Sequence, residues 1–174
     1  MTDFKDIKGF AFDIDGVMTD GGIMADLEGQ LYRTFDAKDG FAVRMAAMNG
    51  FPVAVITGGR SQSIRARFKS NGIPPEDIYL GSRIKIDDLE DFCSRHSLEP
   101  SQVMYFGDDV PDVEVLAACG AGVAPSDAAQ EAKDAADIVA DIPGGKALVR
   151  HYMELVMKAQ GRWTFNPRVY KKMF

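Results

Sequence analysis

Histidine, cysteine and tryptophan are nearly missing from this chain, with two, two and one among 174 residues. Cys93 and Cys119 fall in helical patterns without metal-ligand spacing, so they read as reduced, buried or half-buried thiols. That leaves no disulfide framework and no thiolate metal site to reason from. Basic residues are also in deficit, 20 Lys plus Arg against 26 Asp plus Glu, a net charge of −6. A nucleic-acid partner is therefore not expected, because phosphate-backbone contacts need basic surface. No apolar run is long enough to cross a membrane, and nothing resembles a signal peptide, so a soluble, cytoplasmic protein without a membrane partner is expected. Linkers, low-complexity tracts and internal repeats are missing too. At this length the chain can bury one substantial core but has no room for a second full domain, which predicts a single domain over residues 1–174.

What the chain does have is a series of short apolar strands, each ending in polar residues. Gly9-Phe10-Ala11-Phe12 runs into Asp13-Ile14-Asp15-Gly16, and Pro52 to Ile56 runs into Thr57-Gly58-Gly59-Arg60. Asp77 to Leu80 runs into Gly81-Ser82 with Lys85 soon after, and Gln102 to Phe106 runs into Gly107-Asp108-Asp109-Val110-Pro111-Asp112. Helical patterns separate them: Gly40 to Asn49 closing on Gly50, Ser61 to Ser70, Ile84 to Arg95, and Val113 to Cys119. A short strand near Gly122-Val123-Ala124, a helix over Asp127 to Ala136, a strand at Asp137 to Ala140 and a last helix from Lys146 to about Gln160 complete the pattern. Alternation of this kind predicts an α/β fold, a doubly wound parallel sheet with helices on both faces. In such sheets ligands bind at the carboxyl ends of the strands, where all four polar groups lie.

The chemistry follows from the charges gathered there. Asp13, Asp15, Asp108 and Asp109 would share one cleft, with Asp112 close by and Lys85 as the main counter-charge. Like charges a few ångströms apart resist ionising together, and one ammonium cannot neutralise four carboxylates. A divalent cation is expected, and an all-oxygen donor set selects a hard ion such as Mg²⁺. Mg²⁺ commonly completes its shell with phosphate oxygens, so the substrate should carry a phosphate. Thr57 and Gly58, at a turn entering a helix, can hold phosphoryl oxygens. One carboxylate can attack phosphorus, a second two residues on can pass protons, and Lys85 can offset charge on the equatorial oxygens. Singly, each residue has an ordinary structural use, Thr57 as a helix cap and Lys85 as a solvated surface lysine. Order and shared placement are what lift the set.

Asp13-Ile14-Asp15-Gly16, the Thr57-Gly58 strand end, Lys85 and Gly107 to Asp112 together resemble the four motifs of the haloacid dehalogenase superfamily of phosphatases. The stretch between Gly16 and the first helix is too short for a large cap domain, and residues 22–35 read as a β-hairpin flap. With Asp39-Gly40-Phe41, Gly144-Gly145-Lys146 and Ala159-Gln160-Gly161, the chain is similar to the capless branch. That branch includes phosphatases of 3-deoxy-D-manno-octulosonate 8-phosphate in lipopolysaccharide sugar synthesis. The resemblance implies Asp13 as nucleophile and metal ligand, and Asp15 as general acid/base lending its backbone carbonyl to Mg²⁺. It implies Asp108 as a metal carboxylate and Asp109 as the group orienting Lys85 or a metal-bound water. Thr57 and Gly58 should grip the phosphoryl group, while Arg67, Arg33 and Thr34 should meet the sugar-phosphate substrate. A homotetramer with shared active sites is also implied, Arg67 facing the sugar carboxylate, with the flap and the tail at 161–174 offering apolar surface to partners. Relatives acting on nine-carbon sialic-acid-type phosphates carry an acidic residue after the Thr-Gly pair and a Lys beyond the shared Arg. Gly59 and Ser70 stand at those positions here, which favours the eight-carbon substrate. Two other classes share parts of the pattern. A response-regulator receiver domain lacks the late Gly-Asp-Asp and carries its acids differently, and a non-catalytic assembly module would not need the full catalytic set.

Overall fold

The apolar runs become one sheet because their alternate residues serve two cores. The computed structural model describes residues 3–174. In chain order it contains β1 (Gly9–Phe12), a hairpin of β2 (Met24–Ala25) and β3 (Leu31–Tyr32), α1 (Ala37–Met48), β4 (Val53–Thr57), α2 (Gln62–Lys69), β5 (Ile78–Leu80) and α3 (Lys85–His96). β6 (Val103–Phe106), α4 (Val113–Ala118), β7 (Ala121–Ala124), α5 (Gln130–Ala135), β8 (Ile138–Val139), α6 (Leu148–Ala159) and α7 (Pro167–Met173) follow. Six strands form a sheet in the order β5-β4-β1-β6-β7-β8, every neighbouring pair parallel. Phe10, Phe12, Val55, Met104 and Phe106 share one core with Val43 and Met45 of α1, Phe68 of α2 and Met153 of α6. Ala11, Ala54, Ile56 and Tyr105 share the other with Leu89 and Phe92 of α3, Leu116 of α4 and Ala132 of α5. The doubly wound α/β sheet is the expected architecture. β1 sits between β4 and β6, so the chain switches direction around it and opens a crevice at its carboxyl end.

Element boundaries shift where a side chain serves a distant partner. α1 starts at Ala37, ahead of the expected Gly40, because the Asp36 carboxylate accepts from the Lys38 N–H as an N-cap. α5 starts at Gln130 rather than Asp127, since the Asp127 carboxylate accepts from the Gly144 N–H and is drawn away from its own helix. The tail, expected as partner surface, rests on its own chain while Phe165, Met173 and Phe174 stay exposed. α7 rests on α1, Arg44 donates to the Tyr170 hydroxyl at 2.6 Å, and the Arg150 guanidinium lies 4.7 Å from the Trp163 ring centre. Phe35, at the end of the flap segment, packs edge-on against Phe68 at 5.5 Å.

Asp39 holds the start of α6. It is fully buried, and its Oδ1 accepts from the Arg150 N–H at 2.7 Å, which gives α6 a cap from another element. Burial pushes this carboxyl up to about 7, against the backbone N–H groups and with Asp36 adding to the rise. The folded value lies above the ordinary 3.8, so the native state keeps a proton that the unfolded chain has lost between about pH 4 and 7. The resulting stabilisation is complete below that window and is lost as pH rises through it. Asp39→Asn cannot titrate, so its urea-unfolding midpoint should fall less from pH 5 to pH 8 than that of the wild type. Parallel profiles would show that Asp39 contributes no such dependence.

Candidate active site

Asp13 follows β1 directly, and the chain then turns sharply through Gly16. Gly16 has φ of +88°, and a β-carbon there would lie 1.9 Å from Asp108 Oδ2, so only glycine lets the two acidic loops meet. The buried Thr19 hydroxyl accepts from the N–H groups of Gly16 and Gly21, pinning the turn from inside. Gly144 packs against it from outside, for a β-carbon there would lie 1.9 Å from the Gly16 carbonyl oxygen. Thr57 ends β4, with its carbonyl accepting from Ser82 and its hydroxyl from Gly59. Asp13, Asp15, Thr57, Gly58, Lys85, Asp108 and Asp109 all line one pocket of about 290 Å³ at the carboxyl edge of the sheet. Ser82, from the third of the polar strand ends, lines it as well, and so does Arg83, which sequence reasoning passed over although it directly precedes Ile84-Lys85.

Lys85 begins α3, where the helix dipole disfavours a cation. Two carboxylates reverse that: Nζ lies 2.8 Å from Asp13 Oδ2 and 2.6 Å from Asp112 Oδ1. Burial works against the ammonium, yet Asp13 and Asp112 hold its pKa above the ordinary lysine value. Asp112 is fully buried and also accepts from the Tyr105 hydroxyl at 2.5 Å and from the N–H groups of Asp108 and Asp109. Asp109, expected to orient Lys85 or a metal-bound water, is not on the ammonium; Asp13 and Asp112 are. Asp109 is exposed and its carboxylate turns back to its neighbour's Val110 N–H, while the 3-10 turn after it carries Asp112 inward to the ammonium.

None of the three residues expected to meet the sugar phosphate, Arg33, Thr34 and Arg67, lines the strand-end pocket. Arg33 reaches under the flap to Asp15, its Nε donating to Oδ1 at 2.6 Å and its Nη2 to Oδ2 at 3.0 Å. Thr34 is exposed and opens onto a separate groove beside Asp20, Ile23 and Tyr32, away from the strand-end pocket. Arg67 of α2 lies against Gly40 of α1, beside Asn71, and does not line that pocket.

The acidic cluster suits a cation. Oxygens of Asp13, Asp108 and Asp112 fall within 4.8 Å of one another. Burial first, then Asp13 and Asp112, push the Asp108 carboxyl up to about 8, and burial pushes Asp13 up to about 6 against the pull of Lys85. Asp108 Oδ1 is buried and has no hydrogen-bond partner. Asp112 is fully buried and does not line the pocket, so Asp13 and Asp108, which do, are the carboxylates open to a metal. The Asp15 carboxylate lies on Arg33 instead, which leaves only its backbone carbonyl for an ion. Hard oxygen donors without histidine or thiolate fit Mg²⁺.

Comparisons with known proteins show the family. A family model described as haloacid dehalogenase-like hydrolase matches residues 60–143. The 3-deoxy-D-manno-octulosonate 8-phosphate phosphatase KdsC of Salmonella typhi is 33% identical over 162 residues, 93% of this chain and 85% of the relative. A crystal structure of the same-named phosphatase from Yersinia pestis superposes with a TM-score of 0.87 at 32% identity, covering 92% of this chain and 85% of that one. The Moraxella catarrhalis phosphatase, crystallised in complex with a magnesium ion, a phosphate ion and a KDO molecule, gives 0.86 at 31% identity over 92% of this chain and 91% of its own.

Proposed function

The chain belongs to the haloacid dehalogenase-like hydrolases, and on that premise we propose a Mg²⁺-dependent phosphatase of 3-deoxy-D-manno-octulosonate 8-phosphate, serving lipopolysaccharide sugar synthesis. The meeting of Asp13, Thr57, Lys85 and Asp108 in one pocket carries this reading. Asp13 Oδ attacks phosphorus and forms an aspartyl-phosphate as the bond from phosphorus to the sugar oxygen breaks. Asp15 gives its proton to the departing oxygen. Asp15 then takes a proton from water, whose oxygen displaces the Asp13 carboxylate and releases phosphate. Thr57 and Gly58 hold the phosphoryl oxygens, and Lys85 offsets their growing charge. Asp13, Asp108 and the Asp15 carbonyl would hold Mg²⁺, which neutralises phosphoryl charge when bound.

Phosphate release from sugar phosphates of six, eight and nine carbons tests the reading. The eight-carbon acid should lead the nine-carbon acid in kcat/KM by at least about tenfold. Chelation should abolish turnover, with Mg²⁺ restoring it better than Ca²⁺, whose longer bonds and larger shell spoil the in-line geometry. A nine-carbon preference, or full activity after exhaustive chelation, would overturn the corresponding part.

The same reading extends to a cytoplasmic homotetramer in which a neighbour closes each site. The pocket is small for an eight-carbon sugar acid. Ile23, Met24, Leu27, Leu31 and Tyr32 leave an apolar surface exposed on the flap, and Arg67 stands outside its own subunit's pocket. Light scattering should therefore report a tetramer. Arg67→Ala should raise KM for the sugar phosphate about tenfold more than for an aryl phosphate. A fully active monomer, or equal effects on both substrates, would refute the shared site.

A further inference from the structure

Tyr105 is a polar side chain in an apolar place. It is fully buried on β6, in the core that Leu89 and Phe92 of α3 and Leu116 of α4 also serve, and it does not line the catalytic pocket. A phenylalanine would fill that core without the cost of burying a hydroxyl. The hydroxyl instead donates to Asp112 Oδ1 at 2.5 Å, the same oxygen that lies 2.6 Å from Lys85 Nζ. Asp112 Oδ2 accepts from the N–H groups of Asp108 and Asp109. One oxygen thus holds the acidic loop, and the other joins tyrosine to lysine. Gly107 lets them meet, because a β-carbon there would lie 2.5 Å from Asp112 Cβ and 2.9 Å from Tyr105 Cε1. Burial first, then Asp112 and Asp13, hold the Tyr105 pKa well above the ordinary tyrosine value, so the hydroxyl stays a neutral donor.

We propose that Tyr105 is a positioning residue for Lys85, its hydroxyl sharing Asp112 Oδ1 with the ammonium so that the lysine stays available to the phosphoryl group. This deepens the phosphatase reading and rests on it. Lys85 is claimed by two carboxylates, Asp13 at 2.8 Å and Asp112 at 2.6 Å. An ammonium wholly neutralised by both would do little for charge growing on phosphoryl oxygens. Two donors on one oxygen draw on the same negative charge, so the tyrosine weakens the hold of Asp112 on the lysine. It also fixes the direction of that hold. Tyr105 is paired with Ala11 of β1 and Gly122 of β7, so its hydroxyl rises from the middle of the sheet and pins Oδ1 in place. The ammonium then stays balanced between Asp112 and Asp13 and can lean toward substrate when phosphate enters.

Calorimetric binding of inorganic phosphate to the Mg²⁺-loaded protein, alongside kinetics with the sugar phosphate, tests the assignment. Tyr105→Phe keeps the ring and removes only the donor. It should raise the phosphate Kd at least about fivefold and lower kcat at least about tenfold. In a Lys85→Met background the same change should move the phosphate Kd by less than about twofold, because the group it acts through is gone. An unchanged phosphate Kd in folded Tyr105→Phe overturns the proposal, and so does an equal effect in both backgrounds, which is the mark of a merely structural role. Should either variant not fold, proton NMR of the wild type decides. The tyrosine hydroxyl proton best protected from exchange should move downfield on saturation with phosphate, as Nζ leaves Oδ1 and the tyrosine bond tightens. A resonance that phosphate does not move overturns the proposal. Absence of turnover on any phosphomonoester by wild type would instead be a failure of the phosphatase reading itself, with the phosphate coupling still deciding Tyr105.

Discussion

Asp13→Asn lowers kcat by about a thousandfold or more, equivalent to about 4 kcal/mol of barrier. The amide keeps the shape of the carboxylate but cannot supply the anionic oxygen that bonds to phosphorus. The fold survives the change because Lys85 keeps its second partner, Asp112, at 2.6 Å. Desolvation also disfavours the native Asp13 anion, whose carboxyl burial pushes up to about 6. Removing that buried charge therefore costs little stability, and thermal melting should stay close to wild type. Substrate binding should persist through Thr57, Lys85 and Asp108. Acid-quenched reactions with labelled substrate should trap phosphate covalently on the wild type and none on the variant. Retention of more than about a tenth of the activity, a loss of only about 1.4 kcal/mol, would rule out the covalent route.

How far the site was legible depended on whether a residue's role followed from its strand. Asp13, Thr57 and Asp108 end three neighbouring parallel strands, so the βα alternation alone brings them to one edge. Phe10, Phe12 and Ala11 likewise declare a strand buried on both faces. Contacts between elements that are distant in sequence left no periodic trace. Arg33 and Asp15 are 18 residues apart, on a hairpin and a turn, and only the folded flap joins them. Asp127 is drawn to Gly144 and Asp36 caps α1 without any signal beyond being acidic. In the tail the aromatic content signalled apolar surface, but neither the Asn166 cap of α7 nor the bond by which Arg44 draws Tyr170 onto α1 could be read from it. Within Gly107 to Asp112 the sequence offers three acids, and composition cannot decide which one turns inward. The 3-10 turn at Val110–Asp112 decides it.

That turn leads to the second large effect, a comparison of Asp112→Asn with Asp109→Asn. Asp112 is fully buried and gathers four donors: Lys85, the Tyr105 hydroxyl and two backbone N–H groups. An asparagine there can accept through only one oxygen, and its amide N–H groups would face donors. Lys85, a residue only 6% exposed, would then depend on Asp13 alone for its ammonium. Breaking one side of a buried, hydrogen-bonded pair costs on the order of 3–5 kcal/mol. Part of that should appear as a lower melting temperature. The rest should appear as lost turnover, because Lys85 would be pulled toward Asp13 and away from the phosphoryl oxygens. Asp109 is exposed and makes no contact with Lys85, so its amide variant spares both the fold and the lysine's position. Asp112→Asn should therefore lose at least about tenfold more in kcat/KM than Asp109→Asn, together with stability that Asp109→Asn retains. Urea unfolding and steady-state kinetics on the two proteins decide it. If Asp109→Asn is the more damaging for both, Asp112 is not what holds the lysine in place during catalysis.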